Sequence, residues 1–239
     1  MKLYLKNHAE RYPVEQLQLQ LFAQEPSEFC AEPFTGDGTV SSLSRGKRYL
    51  TATAKVTYQG KTGFASNRVL LEKADVRATR RILQRSYYLA ALQVLPAAPP
   101  WGALSGVRPT KLSTKCLMAG GSERDAERLL RQTYFVSPER ARLCVDASRH
   151  TVEAAKKLDA DDLSVYIGIP FCPTRCAYCS FVSQSIERFG EFLPAYLDAL
   201  LREIAHTGAL LKDSGFHIRT LYMGGGTPTT LSSAQMARL

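Results

Sequence analysis

The segment LSVYIGIPFCPTRCAYC, residues 163–179, decides the fold of the C-terminal third of this 239-residue chain. Its first seven residues are mostly apolar or β-branched and stop at Pro170, which predicts a strand. A cysteine-rich loop follows directly. Residues 189–211 then carry leucines at helical spacing, which predicts a long amphipathic helix after the loop.

The same order of elements is repeated once more along the chain. Residues 219–223 predict a second strand, the glycine run GGGTPT follows at 224–229, and another helix begins at Leu231. Strands that alternate with helices in this way lie parallel, so the sequence predicts an α/β fold. Because both loops follow strands, we expect them to meet at the carboxyl edge of the sheet, where α/β folds bind ligands.

The cysteine loop has the spacing C-x3-C-x2-C, formed by Cys172, Cys176 and Cys179. Three thiolates on one tight loop can hold three irons of a cubane iron–sulfur cluster and leave the fourth iron open to a small chelating molecule. The alternative is a structural zinc site, which needs four ligands that usually come as two separated pairs. The sequence contains no second C-x2-C pair, and the cluster is therefore favoured.

The glycine run is a weaker signal when it stands alone. Gly224, Gly225 and Gly226 allow a ligand to approach the backbone, but a tight turn between strand and helix would need the same residues. The glycine run becomes informative together with the cysteine loop, because the two loops are predicted at the same end of neighbouring strands.

The preceding part of the chain is predicted as a separate α+β domain, residues 1–158, with the thiol-bearing domain at 159–239. Alternating patterns predict strands at 2–6 and 49–58. Residues 99–109 are typical of a loop, and the other three cysteines (Cys30, Cys116 and Cys144) are expected to be small apolar packing residues. Helical patterns and caps predict helices at 10–23, 75–95, 123–134 and 138–157.

Composition and charge narrow the functional classes. With 45% hydrophobic and 22% charged residues, the chain is neither a disordered polyelectrolyte nor a coiled coil. No membrane span and no secretory signal are predicted, so a cytoplasmic location is expected. Residues 156–239 carry 8 basic and 8 acidic side chains, and the whole net charge of +9 therefore lies in residues 1–155. A solvated basic surface is the favoured interpretation, and a polyanion or an acidic partner is the alternative.

The two motifs together resemble those of the radical S-adenosylmethionine (radical SAM) enzymes. The stretches YIGIPFC at 166–172 and YMGGGTPT at 222–229 are similar to those of the oxygen-independent coproporphyrinogen III oxidase group within that superfamily. WGALSGVRPTKL at 101–112 further resembles the coproporphyrinogen dehydrogenase-like branch, which carries an extra N-terminal domain. The resemblance implies an N-terminal α+β domain followed by the first βα units of a partial (β/α)6 barrel, truncated in a fragment of a longer protein.

The resemblance also implies cofactors and site residues. The three loop cysteines would ligate a [4Fe–4S] cluster, and the amino and carboxylate groups of SAM would chelate the open iron. Tyr178 would lie against the adenosyl part of SAM, and Tyr166 would contact SAM near the cluster. Gly225, Gly226 and Thr227 would bind its methionine part, with Gly224 shaping the turn.

The implied reaction belongs to haem biosynthesis. A reduced cluster would split SAM into methionine and a 5′-deoxyadenosyl radical, which would take a hydrogen from a propionate of the tetrapyrrole substrate. Loss of carbon dioxide and one electron would leave a vinyl group, so that coproporphyrinogen III becomes protoporphyrinogen IX. A reductant protein such as flavodoxin or ferredoxin is the expected partner, and the isolated 239-residue chain is expected not to turn over substrate.

Two positions depart from the oxidase pattern and keep alternatives open. Phe181 stands where the best-matched oxidases carry a fourth cysteine, and Gly168 stands where many relatives have histidine. Haem chaperones of the same family share the aromatic residue at the Phe181 position, which makes haem binding the main alternative. An RNA-modifying radical SAM enzyme, with the basic N-terminal part gripping RNA, is a further one, although nucleic acid is not the expected partner.

Overall fold

A computed structural model describes residues 1–239. It has mixed α/β structure and divides into two compact units, Met1–Ala154 and Ala155–Leu239. None of its helices combines the length and the apolarity needed to span a bilayer.

The N-terminal unit is built on a five-stranded sheet in the order β2-β1-β3-β4-β5. Strand β1 runs parallel to both of its neighbours, whereas β3, β4 and β5 form an antiparallel meander. The hairpin between the last two turns at Gln59 and Gly60, both with positive φ. The strands are Lys2–Lys6 (β1), Glu28–Cys30 (β2), Gly38–Arg45 (β3), Tyr49–Tyr58 (β4) and Lys61–Leu70 (β5).

Five helices complete this unit. Helix α2 packs on β4 and β5, and the main core lies between this helix, α1 and the sheet, with Leu3, Leu17 and Tyr87 fully buried. A second core, which includes Leu130 and Ala141, holds α3, α4 and α5 together. The helices are Arg11–Leu21 (α1), Val76–Ala91 (α2), Pro109–Met118 (α3), Glu123–Arg128 (α4) and Pro138–Ala155 (α5).

Helix α3 and the end of α4 differ from the expectation. The sequence patterns predict a loop up to Pro109 and no helix at α3, but α3 begins with that proline because a helix's first residue needs no backbone N–H. The helix predicted at 123–134 is α-helical only to Arg128 and continues as a π-helical turn, Leu129–Thr133.

The C-terminal unit contains two strands that pair in parallel, as predicted. Strand β6 (Asp162–Ile169) and strand β9 (His217–Gly225) pair along almost their whole lengths, with one irregularity after Leu163. The predicted helix at 189–211 is divided into α6 (Ile186–Phe189), a short 3-10 turn and α7 (Leu193–Lys212). The remaining elements are β7 (Phe171–Cys172), β8 (Gln184–Ser185) and α8 (Ser233–Arg238). Both loops follow the ends of neighbouring strands, while the barrel remains a prediction.

Candidate functional site

The cysteine loop begins and ends at two short strands that pair with each other. Strands β7 and β8, which flank it, pair in parallel, and the Gln184 backbone N–H donates to the Pro170 carbonyl oxygen at 2.7 Å. Phe171 is buried in the core of the unit, edge-on to the Tyr196 ring at 5.6 Å. The Tyr196 hydroxyl in turn donates to the Gly168 carbonyl oxygen. The loop is therefore anchored by core packing at its first end and by strand pairing at its second.

The loop is supported by three residues that no sequence motif marks, Gln184, Ser185 and Tyr196. Tyr196 lies at the end of the first turn of an amphipathic helix, where an aromatic side chain is an ordinary core residue. Strands β7 and β8, which flank the loop, are only two residues long each, too short to show an alternating pattern in the sequence. No local pattern in the sequence identifies these residues.

The three loop thiols differ in exposure. Cys172 and Cys179 are half-buried, and Cys176 is exposed. The Cys179 backbone N–H donates to the Cys176 carbonyl oxygen at 3.0 Å, which closes a tight turn between these two residues. No three His, Cys, Asp or Glu side chains in the structure are gathered closely enough to hold a metal ion, so the structure does not bring the three thiols to one point.

The cysteines outside the loop have a different environment. Cys144 is buried, and burial raises the pKa of its thiol, while Cys30 and Cys116 are half-buried. A buried neutral thiol packs as a small apolar side chain and is chemically inert. Only the loop thus offers several accessible thiols within one short segment.

The glycine run docks directly against the start of the cysteine loop. The Gly226 backbone N–H donates to the Ile169 carbonyl oxygen and the Thr227 N–H to the Phe171 carbonyl oxygen, both at 2.8 Å. The Thr227 hydroxyl donates to the Cys172 sulfur at 3.4 Å. The two predicted motifs therefore form one continuous site at the carboxyl ends of β6 and β9.

Glycine is required at two positions of this run for different reasons. A Cβ on Gly226 would lie 2.6 Å from the Phe171 carbonyl oxygen and 2.8 Å from the Cys172 sulfur. Gly225 has φ +101°, a conformation that side chains rarely adopt, and a Cβ there would press on the Ile169 backbone. The close approach of the two loops thus depends on the absence of side chains.

The two predicted tyrosines lie on different parts of the site. Tyr166 projects from β6 with 61% of its surface exposed, beside Gly224 of the glycine run. Tyr178, in the cysteine loop, is 90% exposed. The neighbouring Cys176 thiol raises the pKa of the Tyr178 hydroxyl. Phe181, at the position of the missing fourth cysteine, is also exposed.

A cavity of about 490 Å³ opens beside the first cysteine of the loop. Cys172, Thr174 and Arg175 line one side, and Ser185 and Arg188 line the other. Its volume lies within the range of small-molecule sites, about 300–1,000 Å³. Thiols, glycine backbone and a neighbouring cavity lie together at the carboxyl edge of parallel strands, where α/β folds bind ligands, and they form a candidate cofactor site.

Comparison with known proteins gives this site a context. The chain is 32% identical over 230 residues to the oxygen-independent coproporphyrinogen-III oxidase-like protein HemZ of Bacillus subtilis, which covers 93% of this chain and 44% of that protein. It is 39% identical over 88 residues to the oxygen-independent coproporphyrinogen III oxidase of Escherichia coli K12, covering 37% of this chain and 19% of the oxidase. The heme chaperone HemW of Bacillus subtilis is 40% identical over 76 residues, covering 32% of this chain and 19% of the chaperone.

These relatives support the resemblance to the oxygen-independent coproporphyrinogen III oxidase-like group of radical SAM proteins. The chain spans less than half the length of each of them. No family model matches the chain, and no solved structure matches it. Since 93% of the chain aligns with HemZ, the similarity extends over both compact units.

Proposed function

We propose that this chain is part of a radical SAM oxidoreductase that acts on a tetrapyrrole, with oxygen-independent decarboxylation of coproporphyrinogen III as its reaction. The observation that carries the proposal is the contact between the two motifs. Thr227 donates to the Cys172 sulfur, and Gly226 leaves no room for a side chain beside it. A cofactor held by the thiols would therefore lie against bare backbone, where a small amino-acid-like ligand can approach.

The donor chemistry of the loop fits an iron–sulfur cluster. Thiolates are the usual protein ligands of such clusters, and the loop supplies three from one anchored segment. Cys172, Cys176 and Cys179 would hold a [4Fe–4S] cluster, and the glycine run with Thr227 would hold SAM. When bound, the cluster and SAM supply the one-electron chemistry, and the protein supplies position and access.

The residues of the chain itself have distinct parts in this proposal. Thr227, through its hydroxyl, orients the first thiol, since it donates to that sulfur. Tyr166 and Tyr178 present exposed aromatic surfaces on which an adenine or a sugar can pack. The anchored base of the loop fixes where the first thiol stands relative to the glycine backbone.

A haem-binding function is the second candidate, and the environment of Phe181 favours it. The side chain is 62% exposed beside the thiol loop and cannot ligate a metal. One relative, which is 40% identical to this chain over 76 residues, is named as a heme chaperone. An exposed aromatic side chain at this place could stack on a flat tetrapyrrole, whereas it could not serve as a fourth ligand of the cluster.

Anaerobic iron–sulfur reconstitution of the full-length protein tests both candidates. We expect iron and sulfide uptake, SAM cleavage, and a vinyl product from coproporphyrinogen III. Deoxyadenosine formed without a vinyl product, together with stoichiometric haem binding, would favour the chaperone function.

The ligand assignment has a matched control within the chain. The triple variant C172A/C176A/C179A should lose the iron, whereas C30A/C116A/C144A should retain it. Equal iron content in the two triple variants would refute the cluster site. A visible absorption band in the range of iron–sulfur charge transfer provides a readout that does not depend on turnover.

A further inference from the structure

The N-terminal unit contains a second cavity that the proposed function does not use. Its volume is about 770 Å³, and all of its lining residues belong to Met1–Ala154. Leu92, Val136 and Phe135 supply an apolar floor, and three arginines, Arg124, Arg128 and Arg131, supply a charged rim. A concave apolar surface with a few convergent polar groups is the usual form of a small-molecule site.

The three rim arginines come from one short segment of the chain. Arg124 and Arg128 stand at positions i and i+4 of α4, a spacing that places side chains above one another, and Arg131 follows in the π-helical turn. Arg128 pairs with Asp125 and Arg131 with Glu127, both at 3.1 Å, and Arg124 makes no ion pair. These pairs are exposed pairs within one helix, which contribute little and yield readily to a better anion.

The charge balance of the cavity is positive. Glu127 is the only acidic side chain in its lining, against three arginines, and with Asp125, which pairs with Arg128 from outside the lining, the local charge is +1. The first turn of α5 begins at the same cavity, and the partial positive charge of a helix start acts in the same direction. Guanidinium groups match carboxylate and phosphate oxygens in pairs, which favours an anion over a neutral ligand.

The backbone around the cavity has two features that are uncommon in purely structural segments. Leu129–Thr133 is a π-helical turn, and such turns are frequent at functional sites. Phe135 has φ +59°, a left-handed conformation that is a real outlier for a bulky side chain. Strain of this kind persists only where the surrounding structure holds it, and it concentrates at ligand sites.

The surroundings of Phe135 show how this conformation is held. Its ring stacks on the buried Tyr88 ring with centroids 5.0 Å apart, and the Arg85 guanidinium lies 4.8 Å from the ring centroid. Arg85 also donates to the Gln132 carbonyl oxygen of the π-helical turn at 3.1 Å. On the other side Gly102 has φ +58°, and a Cβ there would overlap the Tyr134 carbonyl oxygen.

We propose that this cavity binds a small organic dianion with a flat apolar body. Arg124, which makes no ion pair, and the two arginines whose exposed pairs can yield to a ligand supply partners for two negative charges, and the apolar floor accepts the body of the ligand. A phosphate monoester and a dicarboxylate share this chemistry. The site involves no residue of the C-terminal unit, and the proposal therefore does not rest on the proposed function.

Isothermal titration of the full-length protein with three naphthalene probes tests the proposal. The probes are 2-naphthyl phosphate, naphthalene-2,6-dicarboxylate and uncharged 2-naphthol. We expect saturable one-to-one binding of at least one dianion, at least tenfold tighter than 2-naphthol and weaker at high salt. The preferred dianion distinguishes a phosphate site from a carboxylate site. If neither dianion binds more tightly than 2-naphthol, the proposal is wrong.

Two arginine pairs provide matched variants. R124Q/R131Q removes two charges from the rim and should weaken binding at least tenfold. R77Q/R81Q removes two exposed charges of α2 that lie outside the cavity lining and should leave binding unchanged. Equal affinity of the two double variants would overturn the site.

A measurement on the unmodified sequence covers the case in which the rim variant does not fold. Phenylglyoxal labels accessible arginines, and mass spectrometry locates the labels. The bound dianion should protect Arg124 and Arg131 and leave Arg77 reactive. Failure of the ligand to protect either rim arginine would contradict the proposal.

Discussion

Tyr166 and Tyr222 are register partners on the parallel strands β6 and β9, and their rings stack with centroids 5.7 Å apart and planes at 26°. Both side chains are more than 60% exposed, so the pair lies on the surface of this unit, not in its core. The pair also bounds the glycine run, because a Cβ on Gly224 would lie 2.7 Å from the Tyr166 hydroxyl oxygen and from the edge of the Tyr222 ring.

The stacked pair should be coupled energetically although it is exposed. We expect Y166A and Y222A each to lower the free energy of unfolding by less than about 1.5 kcal/mol, since little apolar area is buried. A double-mutant cycle with Y166A/Y222A should give a coupling of about 0.5–1.5 kcal/mol, the usual value for an aromatic pair. Urea unfolding of the four proteins measures it, and additive effects would show that the stacking contributes nothing.

The docking of the glycine run on the cysteine loop predicts a strong difference between two glycines. G226A places a methyl group against the Phe171 carbonyl oxygen and the Cys172 sulfur, and should destabilise the C-terminal unit by about 1–3 kcal/mol, as overpacking does. G208A lies within α7 with no atom within 4 Å of its Cβ, and should raise stability by about 0.5–1 kcal/mol.

Urea unfolding and reconstituted iron content check this pair of variants together. G226A should lower both quantities, while G208A should leave the iron content unchanged. Iron uptake by G226A at the level of the unmodified protein would contradict the placement of the glycine run against the first thiol.

The parts of the fold that could be predicted are those whose pattern is local. Strand β4 was predicted with its observed bounds because its alternation reflects one buried and one exposed face. Strand β3 was missed because Thr39 and Ser41 occupy its buried positions, so that its core face reads as polar. Strand β5 was missed because it carries Gly63, where a Cβ would overlap the Ala90 carbonyl oxygen of α2. In β5 it is therefore the helix packed on the sheet that decides the residue.

The candidate site divides in the same way. The strand ends, the thiols and the glycine run could be predicted because each is a contiguous segment with its own chemistry. The contact between Gln184 and Pro170 and the support from Tyr196 join residues far apart in sequence, so no local signal marks them. The ligand role of the three cysteines and the SAM contacts stay predictions.

His8 should make the N-terminal unit less stable in mild acid. Partial burial is the main cause that lowers the pKa of this imidazole below 6.5, although the Ser41 carbonyl oxygen, 3.2 Å from Nε2, acts in the opposite direction. The unfolded chain therefore binds a proton at a pH where the folded chain does not. Stability is full above about pH 6.5 and falls as the pH drops below that value.

Urea midpoints at pH 7.5 and pH 5.5 measure this effect. The unmodified protein should have the lower midpoint at pH 5.5, and H8Q should show a smaller difference between the two conditions. H150Q, which replaces an exposed histidine of α5, serves as the control and should behave like the unmodified protein. An identical pH dependence in H8Q would assign the effect to other groups.

The turn between β4 and β5 offers a stabilising substitution. Gln59 and Gly60 have φ of 48° and 76°, so both central residues of this two-residue hairpin turn are left-handed. That is the type I′ pattern, for which Asn-Gly is preferred because asparagine tolerates the left-handed region better than glutamine. The Gln59 backbone N–H, which donates to an Asp37 carboxylate oxygen at 3.0 Å, is unaffected by the change. Q59N should therefore raise the free energy of unfolding by about 0.5–1 kcal/mol. Q59V, with a β-branched side chain at the same position, should lower it, and a Q59N protein no more stable than Q59V would show that the turn does not limit the stability of this sheet.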